Sequence, residues 1–352
     1  MTPAPSTFAP WQQRVYARAC EALDAGRLAH GLLFAGPANL GKRAVAEALA
    51  RRLLCEARAP GEEPCGRCRG CRLFDARVQS DPVDTRPDGS PVHPFGRPGH
   101  PDAVFVGHVL NENARPPKMR SEIVIEQIRE LSQRLSLTAQ YGRAQVVLID
   151  PADAVNHAAC NALLKTLEEP QPGRYLWLLS ANPARLPATI RSRCQVLQFR
   201  LPPHDEALAW LRTRGHAAAV AAEALEAARG HPGLADAWLA EGALALRREV
   251  AAELDQLAAG RLSGAQLAQR WTGDGQADLR LRFAADLALE RTRGAGLTDR
   301  RATRTLAAWF DAANRTRDLL RTTVRADLAV AGLLLEWPRA GAALRRGVTG
   351  PA

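Results

Sequence analysis

The chain has 352 residues, 46% hydrophobic and 24% charged, with a formal net charge of +10. That length accommodates two or three domains with cores of their own, and the apolar content excludes a disordered chain. No apolar run reaches the ~18–20 residues of a membrane span, and Trp11-Gln12-Gln13-Arg14 stands where a signal peptide needs an apolar centre, so a cytoplasmic protein with no membrane partner is expected.

The first expected element is the buried strand Gly31–Ala35, followed by a glycine-bearing turn from Gly36 to Gly41. Val45, Leu49 and Leu53 then recur at helical spacing through 43–55. Residues 56–72 hold a cysteine segment, and residues 80–101, dense in Pro, Gly, Asp and Arg, read as an exposed loop. Asp102–Val106 reads as a strand. Ile125, Ile128, Leu131 and Leu135 fall on one helical face. Ala144–Ile149 is apolar and β-branched, the pattern of a buried parallel strand, and ends at Asp150. A helix over 158–169 stops at Pro170, and strands follow at 175–179 and 196–199. Strands alternating with helices predict a parallel sheet covered on both faces.

After Leu201-Pro202-Pro203 the chain becomes Ala-, Leu- and Arg-rich at helical spacing, interrupted at His231-Pro232-Gly233 and at 272–275. Its most apolar helix is expected from Leu319 to Trp337. The expected architecture is an α/β P-loop domain over 1–201, a small helical domain over 202–242 and an all-α domain over 243–345. The first of these carries the cysteine module at 55–71 and the loop insertion at 80–101.

Three groups of residues carry chemistry. Gly36-Pro37-Ala38-Asn39-Leu40-Gly41-Lys42 fits G-x-x-x-x-G-K, in which backbone N–H groups curl around phosphates and the lysine reaches the outer ones. The next residue should be Ser or Thr, to ligate Mg²⁺, and is Arg43, which has no lone pair to offer. Asp150 ends a buried strand, as a Mg²⁺-holding carboxylate does, but the following position, where a glutamate orients water, is Pro151. Asp153, three residues on, reads as a cap for the following helix rather than a substitute base. ATP and Mg²⁺ are therefore cofactors only of a degenerate site: Gly36, Gly41, Lys42 and Asp150 are its candidate binding residues.

The second group is Cys65-x2-Cys68-x2-Cys71 with Cys55 upstream, four thiolates at the spacing of a closed, structural Zn²⁺ site. Cys20, Cys160 and Cys194 sit in apolar surroundings and read as buried small hydrophobes. Charge is less specific. A basic balance suits a nucleic-acid or acidic partner, but Arg has replaced all but three lysines of 47 basic residues, which looks like a coding bias. Two of the three, Lys42 and Lys165, lie in motif-like settings, where a compact ammonium is wanted.

The third group is Leu186-Pro187-Ala188-Thr189-Ile190-Arg191-Ser192-Arg193-Cys194, preceded by Ala181-Asn182-Pro183 and by the helix Asn161–Glu169. In this order, after a P-loop and an acidic strand end, the set resembles the clamp-loader branch of the AAA+ ATPases. The cysteine segment, His100-Pro101-Asp102, Asp150-Pro151-Ala152-Asp153 and Gly230-His231-Pro232-Gly233 look most like its delta-prime family. The resemblance covers about residues 8–235. It implies a small helical lid and a C-terminal collar in a hetero-oligomeric ring of DNA polymerase III. The implied partners are gamma/tau motor subunits, the delta subunit and, through the complex, the beta clamp and primer–template DNA. It also implies that Arg193 is an arginine finger acting in trans on a neighbour's ATP. The lid's nucleotide-sensing arginine is replaced near Gly233-Leu234. Residues 80–98 are an insertion relative to the family. The alternatives are an active motor ATPase of the gamma/tau kind, which needs turnover by this chain, and a zinc-dependent DNA-binding protein on a dead ATPase fold, which needs steeply salt-dependent DNA binding.

Overall fold

The computed structural model describes residues 8–78, 91, 96–111, 115, 118–141, 144–294, 300–320, 322 and 324–346. The chain forms two compact units, one of residues 1–210 with 230–233 and the other of 211–229 with 234–352.

In the first unit, helix α1 (Pro10–Asp24) precedes β1 (Gly31–Ala35) and α2 (Lys42–Leu53). The short helix α3 (Arg69–Asp75) leads to β2 (Arg77–Val78), which pairs antiparallel with β3 (Arg97–Pro98). After β4 (Ala103–Val106), β5 (Leu110–Asn111) and β6 (Lys118–Met119) form a second two-stranded ribbon. Helix α4 (Ile125–Ser136), β7 (Gln145–Ile149), α5 (His157–Glu168), β8 (Arg174–Ser180), α6 (Ala188–Arg191) and β9 (Gln195–Gln198) complete the alternation. The main sheet has the order β4-β7-β8-β1-β9, with every pair parallel.

The uniform apolarity of these strands follows from burial on both faces. Leu32 and Phe34 of β1, Val146 and Leu148 of β7, and Trp177 and Leu179 of β8 pack with α1 and α2. The intervening Leu33, Ala35, Val147, Ile149, Leu176 and Leu178 face the opposite side, with Ile128, Leu131 and Leu135 of α4 and Leu163 and Leu167 of α5. Cys20, Cys160 and Cys194 are buried, as their surroundings imply. The expected exposed loop over 80–101 needs correction at its end. Gly96, Pro98 and His100 are buried, and the β2–β3 pairing holds this stretch in place, while 79–90 and 92–95 lie outside the described residues.

Helix α7 (His204–Thr213) leads out of this unit. The helices α8 (Ala218–Ala227), α9 (Pro232–Ala240), α10 (Ala243–Ala258), α11 (Gly264–Gly273), α12 (Ala277–Gly294), α13 (Arg300–Leu319) and α14 (Ala326–Arg346) follow. Tryptophans organise the helical unit. Trp309 meets Trp337 edge-on at 4.6 Å and Trp238 meets Phe283 at 4.9 Å. The indole N–H of Trp337 reaches the Leu254 carbonyl at 2.8 Å, and that of Trp271 reaches the buried Glu253 carboxylate at 2.7 Å, which Arg270 also meets. The indoles of Trp271 and Trp337 are thus satisfied as well as packed.

The expected single helix from Leu319 to Trp337 is instead broken, because α13 ends at Leu319 and α14 begins at Ala326. Thr322 Oγ1 donates to the Leu319 carbonyl and accepts from the Val324 N–H, a local alternative to helical bonding. No helix among the described residues is long and apolar enough to cross a membrane.

Candidate functional site

The strand ends of a parallel sheet are where loops can meet a ligand. Here β1 ends in the P-loop and β7 ends at Asp150. Glycine permits this geometry: Gly36 has φ 145°, and a Cβ there would lie 2.2 Å from the Phe199 carbonyl oxygen. Gly41 caps α2 with φ 80°, where a Cβ would strike the Gln12 side chain.

The carbonyl groups of this loop are held by the chain's own donors. Lys42 Nζ donates to the Gly36 and Pro37 carbonyls, both at 2.6 Å. The Trp11 indole and the Gln12 amide donate to the Leu40 carbonyl at 3.2 and 3.1 Å. His231 Nε2 lies 2.8 Å from the Ala38 carbonyl oxygen. The Gly-His-Pro-Gly stretch can approach so closely because a Cβ at Gly233 would sit 1.8 Å from the Asn39 carbonyl oxygen. Burial pushes the Lys42 ammonium down to about 8, against the opposing pull of the Asp150 and Asp153 carboxylates.

Arg43 does more than fail to ligate a metal. Its Nη1 lies 3.1 Å from Asp150 Oδ2, its Nε donates to Glu47 at 2.9 Å, and its guanidinium lies over the Phe105 ring. The carboxylate that would hold Mg²⁺ in a working site is therefore engaged by a cation of the same chain. The residues present do not fit a magnesium ion: the hydroxyl ligand is missing and the carboxylate is paired. Asp153 also departs from expectation. Rather than capping the next helix, it accepts from Ser180 Oγ at 2.5 Å and from the N–H groups of Ala181 and Asn182 at 2.7 and 3.1 Å. It fastens the end of β8.

The sulfurs of Cys55, Cys65, Cys68 and Cys71 lie within 4.8 Å of one another, with Cys55 and Cys68 3.9 Å apart. A tetrahedron of thiolates at ~2.3 Å from a metal has edges of about 3.8 Å, so the cluster can hold one. Backbone N–H groups of Cys65, Cys68 and Cys71 point at the sulfurs of Cys55, Cys65 and Cys68, the arrangement that favours thiolate. Such bonds from Arg67 and Cys68 lower the Cys65 thiol to about 6, whereas burial raises those of Cys55 and Cys71. Gly70 lets α3 close onto the end of α2, since a Cβ there would lie 2.4 Å from the Leu54 carbonyl oxygen.

The module is stapled to the sheet domain by charges that the motif reading passed over. Arg52, 3% exposed, pairs with Asp24 at 2.8 Å and Glu63 at 2.9 Å, and Arg58 joins Asp24 at 2.6 Å. A signal for this existed: Val45, Leu49 and Arg52 share one helical face, so a charge falls on the apolar stripe.

Arg193 stands apart from the P-loop. It follows α6, and its carbonyl oxygen lies beside Gly31, where β1 starts, whereas the P-loop leaves the other end of β1. A strand of this length separates the two by roughly 15 Å. Its Nη1 donates to the Thr189 carbonyl at 3.0 Å and its Nη2 pairs with Glu168 at 2.5 Å. Glu168 was not legible as a site residue, because the contact depends on how α5 and α6 pack.

A family profile described as DNA polymerase III, delta subunit, matches residues 11–203. The chain is 33% identical to DNA polymerase III subunit delta' of Pseudomonas aeruginosa over 266 residues, 74% of this chain and 70% of that protein. It is 33% identical to the Escherichia coli subunit delta' over 229 residues, 64% of this chain and 59% of that protein. It is also 33% identical to subunit gamma/tau of Mycobacterium bovis over 201 residues, covering 56% of this chain but 29% of that protein.

The buried ammonium in the P-loop has a measurable signature. Acylating reagents attack neutral amines, and an ordinary lysine titrates near ~10.4. Limited labelling across a pH series, followed by peptide mass spectrometry, reads that titration at Lys42. Its rate should rise through pH 8. A Lys42 rate that rises only near the ordinary lysine value would contradict the burial described here.

Proposed function

We propose a function on the following premise: the chain belongs to the delta-prime family of DNA polymerase III clamp-loader subunits. Its part is that of a stator. It takes a place in a hetero-oligomer with gamma/tau motor subunits and the delta subunit, and through them serves the beta clamp and primer–template DNA. It turns over no ATP of its own. The observation that carries this is the Arg43 guanidinium on Asp150, which engages the metal-holding carboxylate with a cation that cannot dissociate. Pro151 and Asp153 support it, since the first carries no base and the second is held on Ser180, Ala181 and Asn182. The motor reading would require the opposite arrangement, an open Asp150 beside a hydroxyl ligand.

Arg193 acts in trans. Its place at the strand-start end of the sheet, far from its own P-loop, supports a role in another subunit's ATP site rather than its own. There a planar, permanently charged guanidinium stabilises charge on the transferring phosphoryl group. The helices α10–α14 form the collar, and residues 202–242 the lid. The four cysteines hold Zn²⁺ as a closed structural site, which would supply a cross-link between the end of α2 and α3 and no chemistry.

Two measurements test these assignments. Arg193→Ala should leave assembly intact and slow the ATP site it serves by about 10³-fold, read as steady-state hydrolysis by the reconstituted loader. Unchanged hydrolysis rejects the finger. Freshly purified protein should carry about one zinc ion per chain by elemental analysis, and Cys68→Ser should lose it together with thermal stability. Protein that is fully folded and free of metal rejects the zinc centre.

A further inference from the structure

Both terminal nitrogens of the Arg193 guanidinium are committed within its own chain. Nη1 is bonded to the Thr189 carbonyl at the start of α6, and Nη2 to Glu168, the last residue of α5. A guanidinium that reaches a neighbour's phosphate must present those nitrogens outward. In the arrangement seen here one N–H of each terminal nitrogen is turned inward, onto its own chain. The position is also weakly held. The side chains are 36% and 48% exposed, so solvent screens the pair, and exposed pairs of this kind hold only slightly. The α5 C-terminus adds the negative end of the helix dipole, of the same sign as the carboxylate.

We propose that Glu168 is a positioning residue that parks Arg193 in the free chain. On assembly, the Glu168 carboxylate is exchanged for the polyphosphate oxygens of a nucleotide held by the adjoining subunit. The exchange is favourable because a nucleotide phosphate carries more charge than one carboxylate and lies in a drier site. Parking keeps the arginine from unproductive anions and links its release to the presence of the right neighbour. The proposal rests on the reading of Arg193 as a finger.

The test is a titration of the full chain into fixed motor and delta subunits with clamp, primed DNA and Mg–ATP, following hydrolysis. Glu168→Gln removes the charge and keeps the shape. The half-saturating concentration should fall by about two- to fivefold, the range an exposed pair allows, while the maximal rate stays the same. In the Arg193→Ala background the same substitution should shift nothing, because there is no guanidinium to release. If Arg193→Ala slows hydrolysis but Glu168→Gln leaves the half-saturation point in place, the parking role is wrong and the finger stands. A lowered maximal rate in Glu168→Gln also overturns parking, since it would mean that Glu168 holds the arginine during turnover. If Arg193→Ala does not slow hydrolysis at all, the finger reading fails and the parking proposal fails with it.

Discussion

The contact between the Arg43 guanidinium and the Asp150 carboxylate decides what this sheet can do. A P-loop ATPase needs a dication that arrives with its nucleotide, held by a hydroxyl at the head of the helix and a carboxylate at a strand end. Here the helix head carries a cation of its own, braced by Glu47 behind and Asp150 in front. Both carboxylates lie mostly out of solvent, so the interaction is stronger than a surface pair. A metal would have to displace a tethered charge and would then face its repulsion. Arg43 at the head of α2 thus offers no ligand and engages the carboxylate partner.

The remainder of the P-loop has become a structural joint. Its carbonyls receive donors from Lys42, from Trp11 and Gln12 of α1, and from His231. Helix α1 is in turn tied to the cysteine module through Asp24, Arg52 and Glu63. The loop that would be mobile in a nucleotide cycle is therefore built into a continuous frame. Arg193, the finger proposed above, stands outside this frame at the far end of β1, just past the short helix α6, with a weak hold. Rigidity at one end of the sheet and availability at the other fit the stator role proposed above.

Much of this was legible from the residues. Strands buried on both faces read as unbroken apolar runs, so the five main strands were placed to within a residue or so at their ends. The Cys-x2-Cys-x2-Cys spacing states its own geometry. What was not legible depended on tertiary contact. Arg43 was recognisable as a lost ligand, but nothing local says that its guanidinium lands on Asp150, 107 residues away. Asp153 was assigned to the following helix because capping is a local rule, and β8 won it with three donors instead. Leu319–Trp337 read as one helix because periodicity does not register a threonine hydroxyl that bonds its own backbone.

The central claim is that the chain's own cation has replaced magnesium. It is tested most directly by calorimetric titration of Mg–ATP into the isolated, metal-loaded wild-type chain and into Arg43→Thr, each with and without magnesium. The account predicts no magnesium-dependent binding to the wild type, and magnesium-dependent binding once Arg43→Thr frees Asp150 and supplies the hydroxyl. Tight, magnesium-dependent binding to the wild type, lost in Lys42→Ala, would contradict it and would make this chain a nucleotide-binding subunit in its own right.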